Sequence, residues 1–273
     1  MKKQVQFTHA NGFPAKTYSY LFEQFDDVAF HYVNCMGHGD FPIEGDLNHF
    51  ADELIHTLEQ RGGGPVYGVG HSSGAVATLF AAVRRPDLFK RVILLDPVLF
   101  STFKRNGIRL MQLVGRGDDI GPTRKAMTRR TEFDDRDQAR DYFRRKAFFR
   151  QFHPRCFDDY LSHGLKPHDA GLTLTFSAET EVAVFRSVPL SMPRGMRKVI
   201  LPAFPDTPTA SVPDDQVEVA LIYGRTSDVL WPSDIRWLQW VYPRMNRVPF
   251  EGGHLFPFEQ PDETVALLRR FLV

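Results

Sequence analysis

The sequence predicts a mostly parallel α/β fold interrupted by one helical insertion, and three features carry that prediction. Short apolar runs alternate with amphipathic stretches along most of the chain. Two runs, KRVILLDPVLF (90–100) and QVEVALIYGRTSD (216–228), are nearly continuous in apolar residues. Strands buried on both faces of a parallel sheet have that pattern. Between Phe100 and Asp214 the alternation stops, leaving helix-like, arginine-rich pieces.

KQVQFTHANGF (3–13) reads as a short strand ending in a glycine turn, and DDVAFHYVNCMGHGD (26–40) as a second strand running into a glycine-containing loop. DLNHFADELIHTLEQRGGG (46–64) places Leu47, Phe50, Leu54 and Leu58 on one helical face before three glycines stop it. PVYGVG (65–70) is a buried strand, and GAVATLFAAVRRPDLF (74–89) a helix ended by Pro86. After the two long apolar strands, NRVPFEGGH (246–254) is a shorter one, and DETVALLRRFLV (262–273) closes as an amphipathic helix. Right-handed crossovers would join these strands.

The interrupting stretch is too long for a structureless loop in a compact domain. Residues 102–150 hold fourteen Lys/Arg against seven Asp/Glu, and RDQARDYFRRKAFFRQF (136–152) interleaves Tyr142, Phe143, Phe148, Phe149 and Phe152 among charges. We expect residues 1–100 and 214–273 to form the core and 101–213 a helical cap. The basic excess is read first as a solvated, partly salt-bridged face and second as a field attracting anionic substrate.

Composition narrows the function classes. Of 273 residues 42% are hydrophobic and 25% charged, as in ordinary globular proteins. A net charge of +1 argues against nucleic acid or an anionic membrane as partner. The arginine-rich stretch also lacks the fold signals of a nucleic-acid module. The start, MKKQVQFTHANGF, lacks the apolar stretch of a signal peptide, and no run is long enough to span a bilayer. The two cysteines, Cys35 and Cys156, are far apart without C-x-x-C spacing, which points to a reducing, cytoplasmic setting.

The chemistry centres on GHSSG (70–74). Placed between a buried strand and a helix, G-x-S-x-G reads as a strained turn lifting the Ser72 hydroxyl above the sheet. The competing reading is a tight turn with Ser72 capping the helix. Serine needs a base. His254 follows a strand and the loop EGG near the chain end, whereas His71 is expected to give packing or support. His9, His38, His153 and His163 read as surface or ordinarily hydrogen-bonded residues. For the carboxylate that orients the base, Asp228 and Asp96 compete at the ends of neighbouring apolar runs. The chain order Ser72, Asp228, His254 favours Asp228. Oxyanion donors are expected from the backbone N–H of Ser73, at the helix start, and of Phe13 in HANGFPA (9–15).

Together HANGFPA, GHSSG, GRTSD (224–228) and EGGHLFPFEQP (251–261) resemble the oxyanion, nucleophile, acid and histidine loops of the α/β-hydrolase fold, nearly end to end. GLTLTFSAETEVAVFRSVP (171–189) is similar to the stretch leading out of the cap in capped bacterial members. Asn11-Gly12 stands where the family usually has His-Gly, and the chain starts almost directly on the family's third strand. The resemblance therefore implies about six strands, with the cap inserted after the sixth family strand and an edge that needs covering.

A serine nucleophile argues against the family's epoxide hydrolases and haloalkane dehalogenases, which use aspartate there. The favoured reading is a carboxylesterase-like serine hydrolase that cleaves a small to medium carboxylic ester, thioester or lactone through an acyl-enzyme. It needs no cofactor and no metal. Phe13, Val98, Leu99, Leu255 and cap aromatics are expected to wall an apolar acyl site. Perhydrolysis and C–C bond hydrolysis on the same triad stay open, as does a non-catalytic ligand-binding role.

Overall fold

In the computed structural model, residues 2–41, 43, 45–187, 191–209 and 211–273 are described. Four strands come first: β1 (Lys3–Thr8), β2 (Val28–Tyr32), β3 (Val66–His71) and β4 (Phe89–Leu95). The insertion carries β5 (Glu132–Phe133), β6 (Leu165–His168) and β7 (Gly171–Leu174). The chain then returns through β8 (Ile200–Pro202), β9 (Val217–Gly224) and β10 (Asn246–Phe250). The main sheet runs β10-β9-β4-β3-β1-β2, and every pair in it is parallel.

All six strands expected from the sequence are in this sheet. A seventh, β8, has no counterpart among those expectations. It pairs with Val217–Val219 of β9, on the flank that β10 takes over from Ala220 onward. It lies within the stretch 101–213 assigned to the cap, so the chain rejoins the main sheet before residue 213. Three residues are too few to show a period-two pattern, which is why the sequence hides it.

Helices α1 (Ser19–Glu23), α2 (Asn48–Arg61) and α3 (Ser73–Arg84) belong to the first half. Leu47, Phe50, Leu54 and Leu58 are buried, and α2 ends at Gly62, whose φ is 57°. Within the insertion lie α4 (Thr102–Leu113), α5 (Gly121–Met127), α6 (Arg136–Arg144), α7 (Pro154–His163), α8 (Ala178–Arg186) and α9 (Met196–Val199). The chain ends with α10 (Pro232–Val241), α11 (Phe256–Glu259) and α12 (Pro261–Phe271). The insertion is not purely helical: β5, β7 and β6 form a small antiparallel sheet. Of the stretch compared with a cap exit, Val188 and Pro189 lie outside the described residues.

Alternation along the central strands divides the core. Val92 and Leu94 of β4 face α2 and α3, whereas Ile93 and Leu95 face the side where Phe143, Phe149, Phe157 and Tyr160 of the insertion pack. One continuous aromatic layer thus joins sheet and insertion. At the other end of β4 the fully buried Arg91 holds Glu218 of β9 through Nε (2.9 Å) and Nη2 (2.7 Å), and these residues are register partners. Its Nη1 donates to the carbonyls of Thr207 and Phe271. All three guanidinium nitrogens therefore have acceptors, and Arg91 ties the amino-end side of the sheet to the last helix.

Candidate active site

The carboxyl ends of β1, β3, β4, β9 and β10 lie side by side, and the loops leaving them converge. β3 passes into α3 through Ser72, whose backbone (φ 57°, ψ −119°) is costly for a residue with a Cβ. Packing holds it there. The Ser72 N–H donates to Leu95 O at 2.9 Å. A Cβ on Gly70 would lie 2.6 Å from Ala75 Cα, and one on Gly74 would lie 2.3 Å from Thr8 O. Both flanking glycines are thus required by close approach of backbone. The Ser72 side chain makes no bond to the helix amides, so it does not cap α3.

Instead, the Ser72 hydroxyl lies 3.0 Å from Nε2 of His254, in the loop after β10. Nδ1 of the same ring lies 2.6 Å from Oδ2 of Asp96. A carboxylate only accepts, so Nδ1 carries the hydrogen and Nε2 is left to accept from Ser72. The expectation for Asp228 is corrected here: its side chain is exposed, and the carboxylate at His254 is that of Asp96. The cause is local backbone geometry. Asp96 sits just past β4 in a left-handed conformation (φ 42°), with its N–H bonded to Ile222 O at 2.8 Å. Its side chain crosses to the end of β9, where Oδ1 accepts the Gly224 N–H at 2.8 Å. Oδ2 also accepts the Ser227 hydroxyl at 2.6 Å. Fully buried, Asp96 thus has three donors, which offset the loss of water.

A second chain of bonds supports the histidine loop. The His71 Nε2–H donates to the backbone carbonyl of His254 at 3.0 Å, and His71 Nδ1 accepts the Tyr18 hydroxyl at 2.7 Å. Tyr18 Oη in turn accepts the Ala10 N–H at 3.3 Å. Burial, reinforced by the nearby His254, lowers the pKa of His71 to about 3, so its ring is neutral. The expected supporting role of His71 has this concrete form, whereas Tyr18 and Ser227 give no sequence signal. His9 is likewise buried and lowered to about 4, mainly by desolvation. Its Nδ1–H donates to Ala10 O (2.8 Å), and Nε2 accepts the Met36 N–H (2.9 Å).

Ser73 opens α3, so its N–H is among those with no acceptor within the helix. For Phe13 the structure modifies the expectation of a free amide. Its N–H closes a turn onto Ala10 O at 3.2 Å, with Gly12 at φ 79° in the turn. The expected pocket residues also divide. The Phe13 ring sits against Phe258 (centroids 5.0 Å) and Tyr160 (5.6 Å), and Leu255 joins the same aromatic cluster. Val98 and Leu99 pack in the second core cluster, with residues of α2 and α3 and with Val184 of α8, and Leu99 is wholly buried there. Leu99 is therefore core rather than pocket wall. The bend that follows Asp96 is closed by the Pro97 carbonyl, which accepts the Leu99 N–H at 2.8 Å.

Residues between β4 and β8 touch the turn after β1, where the Asn11 Nδ2–H donates to Glu181 O at 2.9 Å. Many of the insertion's arginines are paired: Arg116 with Asp119, Arg140 with Asp158, Arg186 with Asp118, and Arg129 with Glu181. Both cysteines are free, and burial raises the Cys156 thiol to about 12. Among the described residues no group of three or more His, Cys, Asp or Glu could hold a metal ion, and no helix is long and apolar enough to cross a membrane.

Comparison with known proteins agrees with this architecture. A search of curated proteins finds no match. Among solved structures, E-2-(acetamidomethylene)succinate hydrolase is similar with a TM-score of 0.73 at 19% identity, over 99% of this chain and 91% of that one. A thioesterase domain from the curacin biosynthetic pathway gives 0.67 at 18%, over 98% and 91%. An esterase of M. tuberculosis gives 0.65 at 17%, over 98% and 84%. At such identities the likeness is one of fold. The model of the alpha/beta hydrolase family matches residues 7–267, and the chain belongs to that family.

Proposed function

We propose that the protein is a serine hydrolase that cleaves a carboxylic ester or thioester through an acyl-enzyme on Ser72. The observation that carries this reading is the continuous path from the Ser72 hydroxyl to His254 Nε2 (3.0 Å) and from His254 Nδ1 to Asp96 (2.6 Å). Ser72 Oγ attacks the carbonyl carbon as His254 Nε2 takes its proton. Asp96 holds the ring in the required tautomer and stabilises the imidazolium. The oxyanion forms beside the start of α3, where the Ser73 N–H donates to it. The Phe13 N–H joins by sharing its 3.2 Å bond to Ala10 O. His254 then returns the proton to the leaving alkoxide or thiolate. In the second half it deprotonates water, which attacks the acyl carbon, and it then gives that proton to Ser72 Oγ as the acyl–oxygen bond breaks and the acid leaves.

The aromatic side chains around Phe13 support an apolar acyl group, and the esterase and thioesterase among similar folds support this reaction class. The test combines a fluorophosphonate with chromogenic esters of graded acyl length. We expect a single adduct on Ser72 and turnover of at least one ester, both abolished in Ser72→Ala. An adduct of equal yield in Ser72→Ala would overturn the reading.

A further inference from the structure

The turn that follows β1 is gripped by the insertion at three points. The Asn11 amide Nδ2–H donates to the Glu181 backbone carbonyl at 2.9 Å. The Glu181 carboxylate lies directly over Gly12, so close that a Cβ there would come within 2.9 Å of Oε1. The Tyr160 ring packs on Phe13, with centroids 5.6 Å apart. Arg129 joins these contacts, pairing with Glu181 Oε2 and donating from Nη2 to the Tyr160 hydroxyl at 3.1 Å.

Glu181 comes from α8, Tyr160 from α7, and Arg129 from the loop after α5. None belongs to the sheet half of the molecule. The Glu181 and Arg129 side chains are only 11% and 17% exposed, so their attraction is little screened by solvent. An ion pair placed there for stability alone is a poor choice, because desolvation consumes most of its attraction. Its position over the Asn11–Gly12–Phe13 turn gives it a different use.

We propose that Glu181 and Arg129 are positioning residues: their ion pair clamps the turn that carries the Phe13 N–H and thereby makes the oxyanion site depend on the docked insertion. Neither residue touches the reacting atoms. The pair acts on catalysis through Gly12 and through the Tyr160–Phe13 contact. This inference rests on the acyl-transfer reading above.

The test compares the unmodified protein with Glu181→Gln, Arg129→Gln, the double variant and Tyr160→Phe, with Arg140→Gln as a surface ion-pair control in the same insertion. Ester kcat and KM, the rate of fluorophosphonate labelling and hydrogen exchange of the segment 8–15 are measured on folded protein. Glu181→Gln is expected to lower kcat about ten- to hundredfold, less than outright loss of an oxyanion donor, with KM changed less than about threefold. Its labelling rate falls in step, and exchange of residues 10–13 speeds up. The double variant should be no worse than the worse single variant, as residues acting as one unit require. Tyr160→Phe, which keeps the ring and is the milder change should the charge variants not fold, is expected to lower kcat about two- to fivefold. Arg140→Gln should leave all readouts unchanged.

Unaltered kcat and exchange in folded Glu181→Gln, or in folded Tyr160→Phe where the charge variants do not fold, would overturn the proposal. So would a loss confined to thermal stability. If the unmodified protein neither takes the fluorophosphonate nor turns over any ester, the acyl-transfer reading fails by itself. Exchange of residues 10–13 then decides whether the clamp exists.

Discussion

Ser227 and Asp96, in the loops that follow the neighbouring strands β9 and β4, are joined by a 2.6 Å bond from the serine hydroxyl to Oδ2, the same oxygen that takes the His254 Nδ1–H. The loop after β9 therefore acts on His254 through Asp96 and not through Asp228, although Asp228 is the next residue. On the proposed mechanism, Asp96→Asn should cut kcat by about three to four orders of magnitude by leaving the wrong tautomer. Asp228→Asn, altering an exposed side chain, should change it less than about threefold. Steady-state kinetics on both folded variants checks this, and the opposite ranking would return the acid role to Asp228.

Ser227 has a separable effect. Besides donating to Asp96, its hydroxyl accepts the N–H groups of Val229 and Leu230, each at 3.1 Å. Ser227→Ala leaves these donors and one carboxylate lone pair without their partner, at a cost of about 1–3 kcal/mol in stability. We expect kcat to fall about tenfold, because Asp96 loses a bond that aims it. Ser227→Thr, which keeps the hydroxyl, should recover most of the kcat. Equal losses in the Ala and Thr variants would show that shape, not the hydroxyl, matters.

Acid should destabilise the fold through two buried histidines. His9 and His71 are lowered to about 4 and about 3 in the native state, both mainly by desolvation. The unfolded chain titrates them near pH ~6.5. Between about 6.5 and 4 the unfolded state therefore binds more protons, so stability falls as pH falls through that window. Each histidine contributes a slope of up to about 1.4 kcal/mol per pH unit. His9→Gln, which offers a neutral donor and acceptor, should flatten the slope by about one proton. Urea denaturation across this pH window and up to neutrality measures this, and an unchanged slope would refute it.

Far from the site, Arg91 offers a stability test. Its guanidinium is fully buried and bonded to Glu218, Thr207 O and Phe271 O. Arg91→Met leaves Glu218 buried without its cation, which should cost about 3–5 kcal/mol. Arg91→Met with Glu218→Leu should recover much of that loss. Denaturant midpoints decide; a single variant as stable as the parent would mean that water reaches Glu218.

Much of this architecture was legible in the sequence because its signals are short-range. Strand periodicity, the glycine stop after Arg61 and the glycines flanking Ser72 act over a few residues, so the six main strands and the sharp turn could be read directly. β8 and the two-residue β5 were too short to show a period. The choice between Asp96 and Asp228 was different in kind. Both follow apolar strands, and local pattern treats them alike. The left-handed backbone at Asp96, the Gly224 donor at the end of β9 and the Ser227 donor in the loop after it decide which carboxylate meets His254. The same holds for the Phe13 N–H, closed onto Ala10 O, and for Leu99, wholly buried in the second core cluster. Which residues could do the chemistry was a property of local sequence. Which of them meet depends on contacts between segments far apart in the chain, and those exist only once the sheet and the insertion have packed.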